Sequence, residues 1–205
     1  MATGGGVVSA LEAVVLAGGA GSRFGGAKLA APWRGGVLID GALAAAFAAP
    51  VRSVVLVTGA DPGVARAARA YAAKAGQSHR LRLVHAKDHA EGMAATLRAG
   101  IAALPAETAG AYVFLGDMPL IPRAVLPALA GALANGARAV APVFENRRGH
   151  PVLFGRALFA ALVALQGDEG ARMVLRGLGS GLALVEARDR GVLFDVDVVG
   201  DLGGA

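Results

Sequence analysis

The chain has 205 residues, of which 55% are hydrophobic and 17% charged, with a formal net charge of +5 and no cysteine. That length and apolar content suit one α/β domain with a sizeable core. The missing thiols exclude disulfides, thiolate metal sites and a cysteine nucleophile, and agree with a cytoplasmic setting. No apolar run reaches the roughly 18 residues of a spanning helix, which disfavours a membrane. The arginines are scattered and aromatic residues amount to 5%, which disfavours nucleic acid. The positive balance serves instead to attract acidic metabolites.

Met1-Ala2-Thr3-Gly4-Gly5-Gly6 lacks the cationic start and apolar centre of a secretory signal, and residues 1–11 read as a flexible lead-in. A buried strand over 14–16 then runs into Leu16-Ala17-Gly18-Gly19-Ala20-Gly21-Ser22-Arg23-Phe24-Gly25-Gly26-Ala27-Lys28. Glycines let the backbone come close to an anion, and bare N–H groups, Arg23 and Lys28 can meet the charge of a triphosphate. Two familiar phosphate loops fail on spacing. The dinucleotide fingerprint would start at Gly19 and Gly21 but meets Phe24 at its third glycine, and the P-loop needs a hydroxyl where Leu29 follows Lys28.

Further along, β-branched or apolar runs over 53–57, 81–84 and 112–115 predict buried strands, and alanine-rich stretches over 40–49, 62–75 and 93–104 predict helices. This alternation predicts a largely parallel sheet whose strand-end loops, 18–28, 58–61 and 116–119, share one edge. A helix over 122–135 closes at Asn135 or Gly136. Segments 139–144 and 150–154 flank a polar turn at 145–149 and predict a hairpin or crossing pair, which makes the sheet mixed. Helices over 156–165 and 171–178 are separated by Gly167-Asp168-Glu169-Gly170, and strands over 182–185 and 192–197 complete the chain. There is no linker-like composition and no repeat of solenoid length, so residues 1–205 are expected to form a single domain.

Asp117 directly follows a hydrophobic strand at the edge shared with the glycine loop, where a carboxylate can hold magnesium on a polyphosphate. Asp195 and Asp197 alternate along the last predicted strand and so share a face, which offers a second carboxylate. Arg147-Arg148-Gly149-His150-Pro151 supplies guanidinium groups for a phosphate and an imidazole that can donate or accept. His79, His85 and His89 have no metal-like spacing and read as surface or core residues.

The first loop resembles the signature of nucleotidyltransferases with the glycosyltransferase-A-like fold. The segments Glu91-Gly92-Met93-Ala94-Ala95-Thr96-Leu97-Arg98-Ala99-Gly100, Leu115-Gly116-Asp117-Met118-Pro119 and Arg147 to Phe154 are similar to the molybdopterin nucleotidyltransferases, on the cytidylyltransferase side. Together the motifs run in order from about Val14 to Leu202. The resemblance implies a three-layer, Rossmann-like α/β nucleotidyltransferase fold with a mostly parallel, mixed central sheet. It implies transfer of a nucleoside monophosphate to the molybdenum–molybdopterin cofactor with release of pyrophosphate and a molybdoenzyme as recipient of the product.

On that resemblance Arg23 and Lys28 steady the triphosphate, and Mg2+ is held by Asp117 and Asp197. Leu16, Ala17, Gly18, Gly19, Gly21, Ser22, Thr58, Gly59, Gly92 and Met93 contact the nucleotide, and Arg148 and His150 bind the acceptor. Cytidylyl enzymes of this group usually carry Leu-Ala-Ala-Gly in the first loop and guanylyl enzymes Leu-Ala-Gly-Gly. This chain has the second, while its later segments look cytidylyl-like, so CTP stands ahead of GTP with the base open. Val198-Val199-Gly200-Asp201-Leu202 also replaces the family's Thr-Pro-Glu-Asp-Leu after Asp197. A non-catalytic carrier of molybdopterin or nucleotide is the alternative from another class.

Overall fold

Continuous apolar runs fold into central strands because a strand covered on both faces has no polar side to present. The computed structural model describes residues 10–19, 21, 24–167 and 170–203. Ser22 and Arg23 of the first loop, Asp168 and Glu169 of the later turn, and lead-in residues 1–9 lie outside the described residues.

The first strand, β1 (Leu11–Ala17), is buried along its whole length and begins at the last residue assigned to the lead-in. A short antiparallel pair follows, β2 (Pro32–Trp33) and β3 (Gly36–Val37), ahead of α1 (Ile39–Ala48). Strand and helix then alternate through β4 (Val54–Thr58), α2 (Pro62–Lys74), β5 (Leu81–His85), α3 (Met93–Ala102), β6 (Gly110–Leu115) and α4 (Val125–Ala134). The remaining elements are β7 (Ala139–Phe144), β8 (Arg147–Arg148), β9 (Val152–Gly155), α5 (Phe159–Val163), α6 (Arg172–Arg176) and β10 (Leu182–Glu186).

The main sheet has the order β10-β7-β9-β6-β1-β4-β5, with β8 paired to β7. Strands β6, β1, β4 and β5 are mutually parallel, as are β7 and β10, whereas β9 runs antiparallel to both β6 and β7. The sheet is therefore mostly parallel and mixed, and its faces carry separate cores. On one, Val15, Leu56, Tyr112 and Phe114 pack with Leu43 of α1, Val64 of α2 and Leu129 of α4. On the other, Val14, Val55, Val113 and Phe154 pack with Leu97 of α3, Leu162 of α5 and Leu175 of α6. Successive residues of β1 thus enter opposite layers, the period of two expected of a strand.

Two expectations need correction. Residues 192–197 are not a strand: a 3-10 turn covers Arg190–Leu193, and the chain then crosses the strand tips, with Val196 N–H donating to Asp117 C=O at 3.0 Å. Its apolar alternation reflects Val192 and Val196, both fully buried, anchoring that crossing. The helix expected over 156–165 begins as a 3-10 turn, Arg156–Leu158, that continues into the short α5, and the one expected over 171–178 shortens to α6. Arg147 and Arg148 pair with β7 as β8, and the turn itself is Glu145-Asn146, with both residues at positive φ. Gly136, at φ 99°, follows the end of α4 as its expected glycine stop.

After β1 the chain moves outward to β4 and β5, then returns to place β6 on the other side of β1. A parallel sheet opens a crevice at the carboxyl ends of its strands where such a reversal occurs. The glycine loop follows β1 and Asp117 follows β6, so both stand at that crevice. Among the described residues no helix is long and apolar enough to cross a membrane.

Candidate active site

A cleft of about 800 Å³ lies at the switch point. Leu16, Ala17, Gly18, Gly19, Gly21, Lys28, Gly92, Met93 and Asp117 all line it, so residues from three distant parts of the sequence converge as expected. Two backbone features shape its wall. A β-carbon on Gly18 would collide with Thr96 Cγ2, so only glycine lets the loop lie against α3. Gly92, at φ 102°, turns the chain into α3 without a capping side chain, which leaves the amino end of that helix to face the cleft.

Lys28 sits in a 3-10 turn, Lys28–Ala30, entered through Ala27 at φ 47°. Its Nζ donates to Asp117 Oδ2 at 2.7 Å and to Val196 C=O at 2.7 Å, and lies 3.7 Å from Asp197 Oδ1. The lysine side chain is 13% exposed and Asp117 27%. The sequence reading gave Lys28 to the triphosphate and the two acids to a metal. In the structure all three meet at one point, the ammonium providing the positive charge for the carboxylates.

Asp195 lies close enough that its carboxyl is raised from the usual range, first by burial and then by the negative charges of Asp197 and Asp117. The segment after Asp197 closes on its own carboxylate. Asp201 Oδ2 accepts from the amides of Asp197 at 2.8 Å and Val198 at 2.9 Å, and these bonds lower its pKa. The altered residues therefore still form a tied turn, which holds Asp197 toward Lys28.

Among the described residues no group of three or more His, Asp or Glu side chains is arranged to hold a metal ion. The donor set nevertheless fits magnesium. This ion usually takes one or two protein carboxylates and fills its other positions with water and substrate phosphate oxygens, and the Asp117 and Asp197 carboxylates already flank a cation.

Thr58 and Gly59 sit behind the glycine loop and are not among the residues lining the cleft. The Thr58 hydroxyl donates to Val84 C=O at 3.3 Å, and the next amide, Ala60 N–H, donates to Gly18 C=O at 3.4 Å. Arg148 and His150 line an adjoining cavity of about 230 Å³, which shares Leu16, Met93 and Leu115 with the cleft. His150 N–H donates to Val192 C=O at 2.9 Å. Burial pushes the imidazole pKa down to about 4, with the positive charges of Arg148 and Arg172 adding to the effect, so the ring is neutral near pH 7. Its Nδ1 is buried with no hydrogen-bond partner.

Three titratable residues lining the two cavities, His89, Asp61 and Arg172, are not among the expected site residues. His89 stands in a 3-10 turn before Gly92, with its ring 5.9 Å from that of His85. Asp61 caps α2 through Oδ1, accepting from Gly63 N–H at 2.7 Å, and also faces the cleft. Arg172 joins Arg148 in the smaller cavity. The strand-end position of Asp61 was a usable signal; His89 and Arg172 offered none.

Comparison with known proteins agrees with this geometry. The sequence matches the MobA-like NTP transferase domain over residues 13–185. It is 25% identical over 194 residues to the molybdenum cofactor cytidylyltransferase of Escherichia coli K12, covering 95% of this chain and 94% of that protein. The crystal structure of Rv0371c from Mycobacterium tuberculosis H37Rv superposes with a TM-score of 0.77 at 27% identity, covering 95% of this chain and 96% of that one. A crystal structure of the same protein in complex with manganese gives 0.67 at 24% identity, covering 86% and 88%. With its mixed α/β sheet, its strand-tip cleft and a family match across most of its length, the chain belongs to the MobA-like NTP transferase domain family and is a nucleotidyltransferase.

Proposed function

We propose that this enzyme transfers CMP from CTP to the molybdenum–molybdopterin cofactor, releasing pyrophosphate, with magnesium as its metal. The observation that carries the reading is the pair of cavities sharing one wall. The larger offers a lysine, the Asp117 carboxylate and a glycine loop to a nucleoside triphosphate, with Asp197 beside that lysine at 3.7 Å. The smaller offers guanidinium groups and a neutral imidazole to an acceptor bearing a phosphate and a heterocycle. Similarity to the Escherichia coli cytidylyltransferase favours CTP and that acceptor, while Leu16-Ala17-Gly18-Gly19 keeps GTP as the second reading.

Joining a nucleoside monophosphate to a phosphate requires in-line attack on the α-phosphorus and neutralisation of charge on the reacting phosphates. Asp117 and Asp197 would hold magnesium, which when bound supplies Lewis-acid charge neutralisation at the phosphate oxygens. Gly18, Gly19 and the amino end of α3 present backbone to the nucleotide at close range. Lys28 adds a mobile positive charge on a long stem. Arg148 and His150 orient the acceptor, whose phosphate is already largely anionic near neutral pH and needs no protein base to become a nucleophile.

Incubation of the purified enzyme with magnesium, the pterin acceptor and either CTP or GTP tests this by mass spectrometry. The expected product is the acceptor enlarged by CMP, with stoichiometric pyrophosphate. Product from GTP alone would overturn the choice of base, and nucleotide binding without pyrophosphate release would identify a carrier.

A further inference from the structure

The positions of Lys28, Asp117 and Asp197 carry a consequence for how the site loads. A divalent cation on the two carboxylates and the ammonium between them make competing claims on the same oxygens. Lys28 Nζ is bonded to Asp117 Oδ2 and Val196 C=O, both at 2.7 Å, and stands 3.7 Å from Asp197 Oδ1. Two like charges cannot share that point without an electrostatic penalty, because Lys28 and Asp117 are only 13% and 27% exposed, although Asp197 is 52% exposed. The same lysine lines the cleft, so a polyphosphate there offers its ammonium an alternative partner.

We infer that Lys28 is a resident counter-ion that excludes the metal until nucleotide arrives, and that it moves from the carboxylates to the polyphosphate as the metal takes its place. This rests on Asp117 and Asp197 being the metal ligands. Lys28 has a long, flexible stem and a point charge, both suited to such a move. In the free enzyme only the fraction of molecules with Lys28 turned away can accept the metal, so apparent affinity is lowered by that fraction. Nucleotide draws the lysine off and raises it. Binding of metal and nucleotide is then mutually reinforcing, and stray divalent ions do not occupy the empty site.

Titration with Mn2+, followed by its electron paramagnetic resonance signal, tests the inference independently of turnover. In wild type, Mn2+ binding is weak alone and tightens by about tenfold or more when an unreactive CTP or GTP analogue is added. Lys28→Met keeps the stem without the charge: it binds Mn2+ about tenfold more tightly than wild type without nucleotide, and nucleotide then tightens binding by a smaller factor than in wild type, the remainder coming from the phosphate oxygens' own ligation of the metal. Lys28→Arg retains the weak, nucleotide-dependent behaviour. Equal Mn2+ affinity in folded wild type and Lys28→Met would overturn the inference.

A second measurement uses the wild-type chain alone. Saturating Mn2+ should increase reductive methylation of Lys28, read by peptide mass spectrometry against Lys74; unchanged labelling would count against displacement. The underlying metal assignment fails separately. If Asp117→Asn leaves Mn2+ affinity unchanged in the presence of nucleotide, Asp117 is not a ligand, whatever Lys28 does.

Discussion

Gly18 has no room for a β-carbon because Thr96 Cγ2 occupies that space. Gly18→Ala should therefore cost about 1–3 kcal/mol, the usual range for overpacking. Thr96→Ser removes the obstructing methyl but keeps the hydroxyl that donates to Met93 C=O at 2.8 Å. Denaturant unfolding of the two single variants and the double variant should recover most of the loss in the double; an undiminished penalty would show that strain lies elsewhere.

His150 makes a prediction about pH. Its pKa is about 4 in the folded chain against 6.5 for the free side chain. As pH falls below about 6.5 the unfolded chain takes up a proton that the folded one refuses, so this contribution to stability is complete above 6.5 and lost between about 6.5 and 4. Thermal melts of His150→Gln should show a flatter acid limb over that window; an identical limb would remove His150 as its cause. At this scale the glycine loop, Lys28, Asp117 and Arg148-Gly149-His150 were legible because each sits at a strand end or in a dense cluster of special residues. The contact between Lys28 and the acids was not: it depends on a segment 168 residues further along the chain returning to the β1 tip.

Among the elements, the long strands and α1 to α4 were readable from apolar runs and alanine-rich periods, and the segment over 192–197 was not. Val192, Phe194 and Val196 alternate like a strand, but their backbone partners are single groups at loop ends rather than a neighbouring strand. Composition records which side chains are buried, not which backbone meets them. The short β2–β3 pair around Arg34-Gly35, both at positive φ, likewise lacks the length to give a period.

Away from the cleft, Glu12 of β1 is 1% exposed. It accepts from Arg52 Nε at 2.9 Å, from Ser53 N–H at 2.8 Å and from Ser53 Oγ at 2.7 Å. Glu12→Ala strands those donors and should lower stability by about 3 kcal/mol. Since it acts at the opposite end of β1 from the glycine loop, the kinetic constants of the folded variant should stay unchanged. A changed KM for nucleotide would show that β1 transmits the damage to its tip.

For the whole molecule, topology is what gathers the chemistry. A chain that proceeds from β1 to β4 and β5 and then doubles back to β6 leaves the loop after β1 beside the loop after β6. The alternation of strand and helix made a parallel sheet foreseeable, and right-handed crossovers put the strand-end loops on one edge. The antiparallel insertion of β9 between β6 and β7 carries Gly149 and His150 to the same end, which gives the larger cleft its adjoining cavity. The net charge of +5 acts over the same scale, and nucleotide affinity should fall as ionic strength rises from about 0.05 to 0.5 M.

The central claim is that nucleotidyl transfer occurs where Asp117 meets Lys28, and pyrophosphate release by Asp117→Asn tests it most directly. The amide keeps the size of the carboxylate, so the variant should remain folded by circular dichroism while turnover falls at least about a hundredfold. A folded Asp117→Asn enzyme that releases pyrophosphate at the wild-type rate would contradict the account.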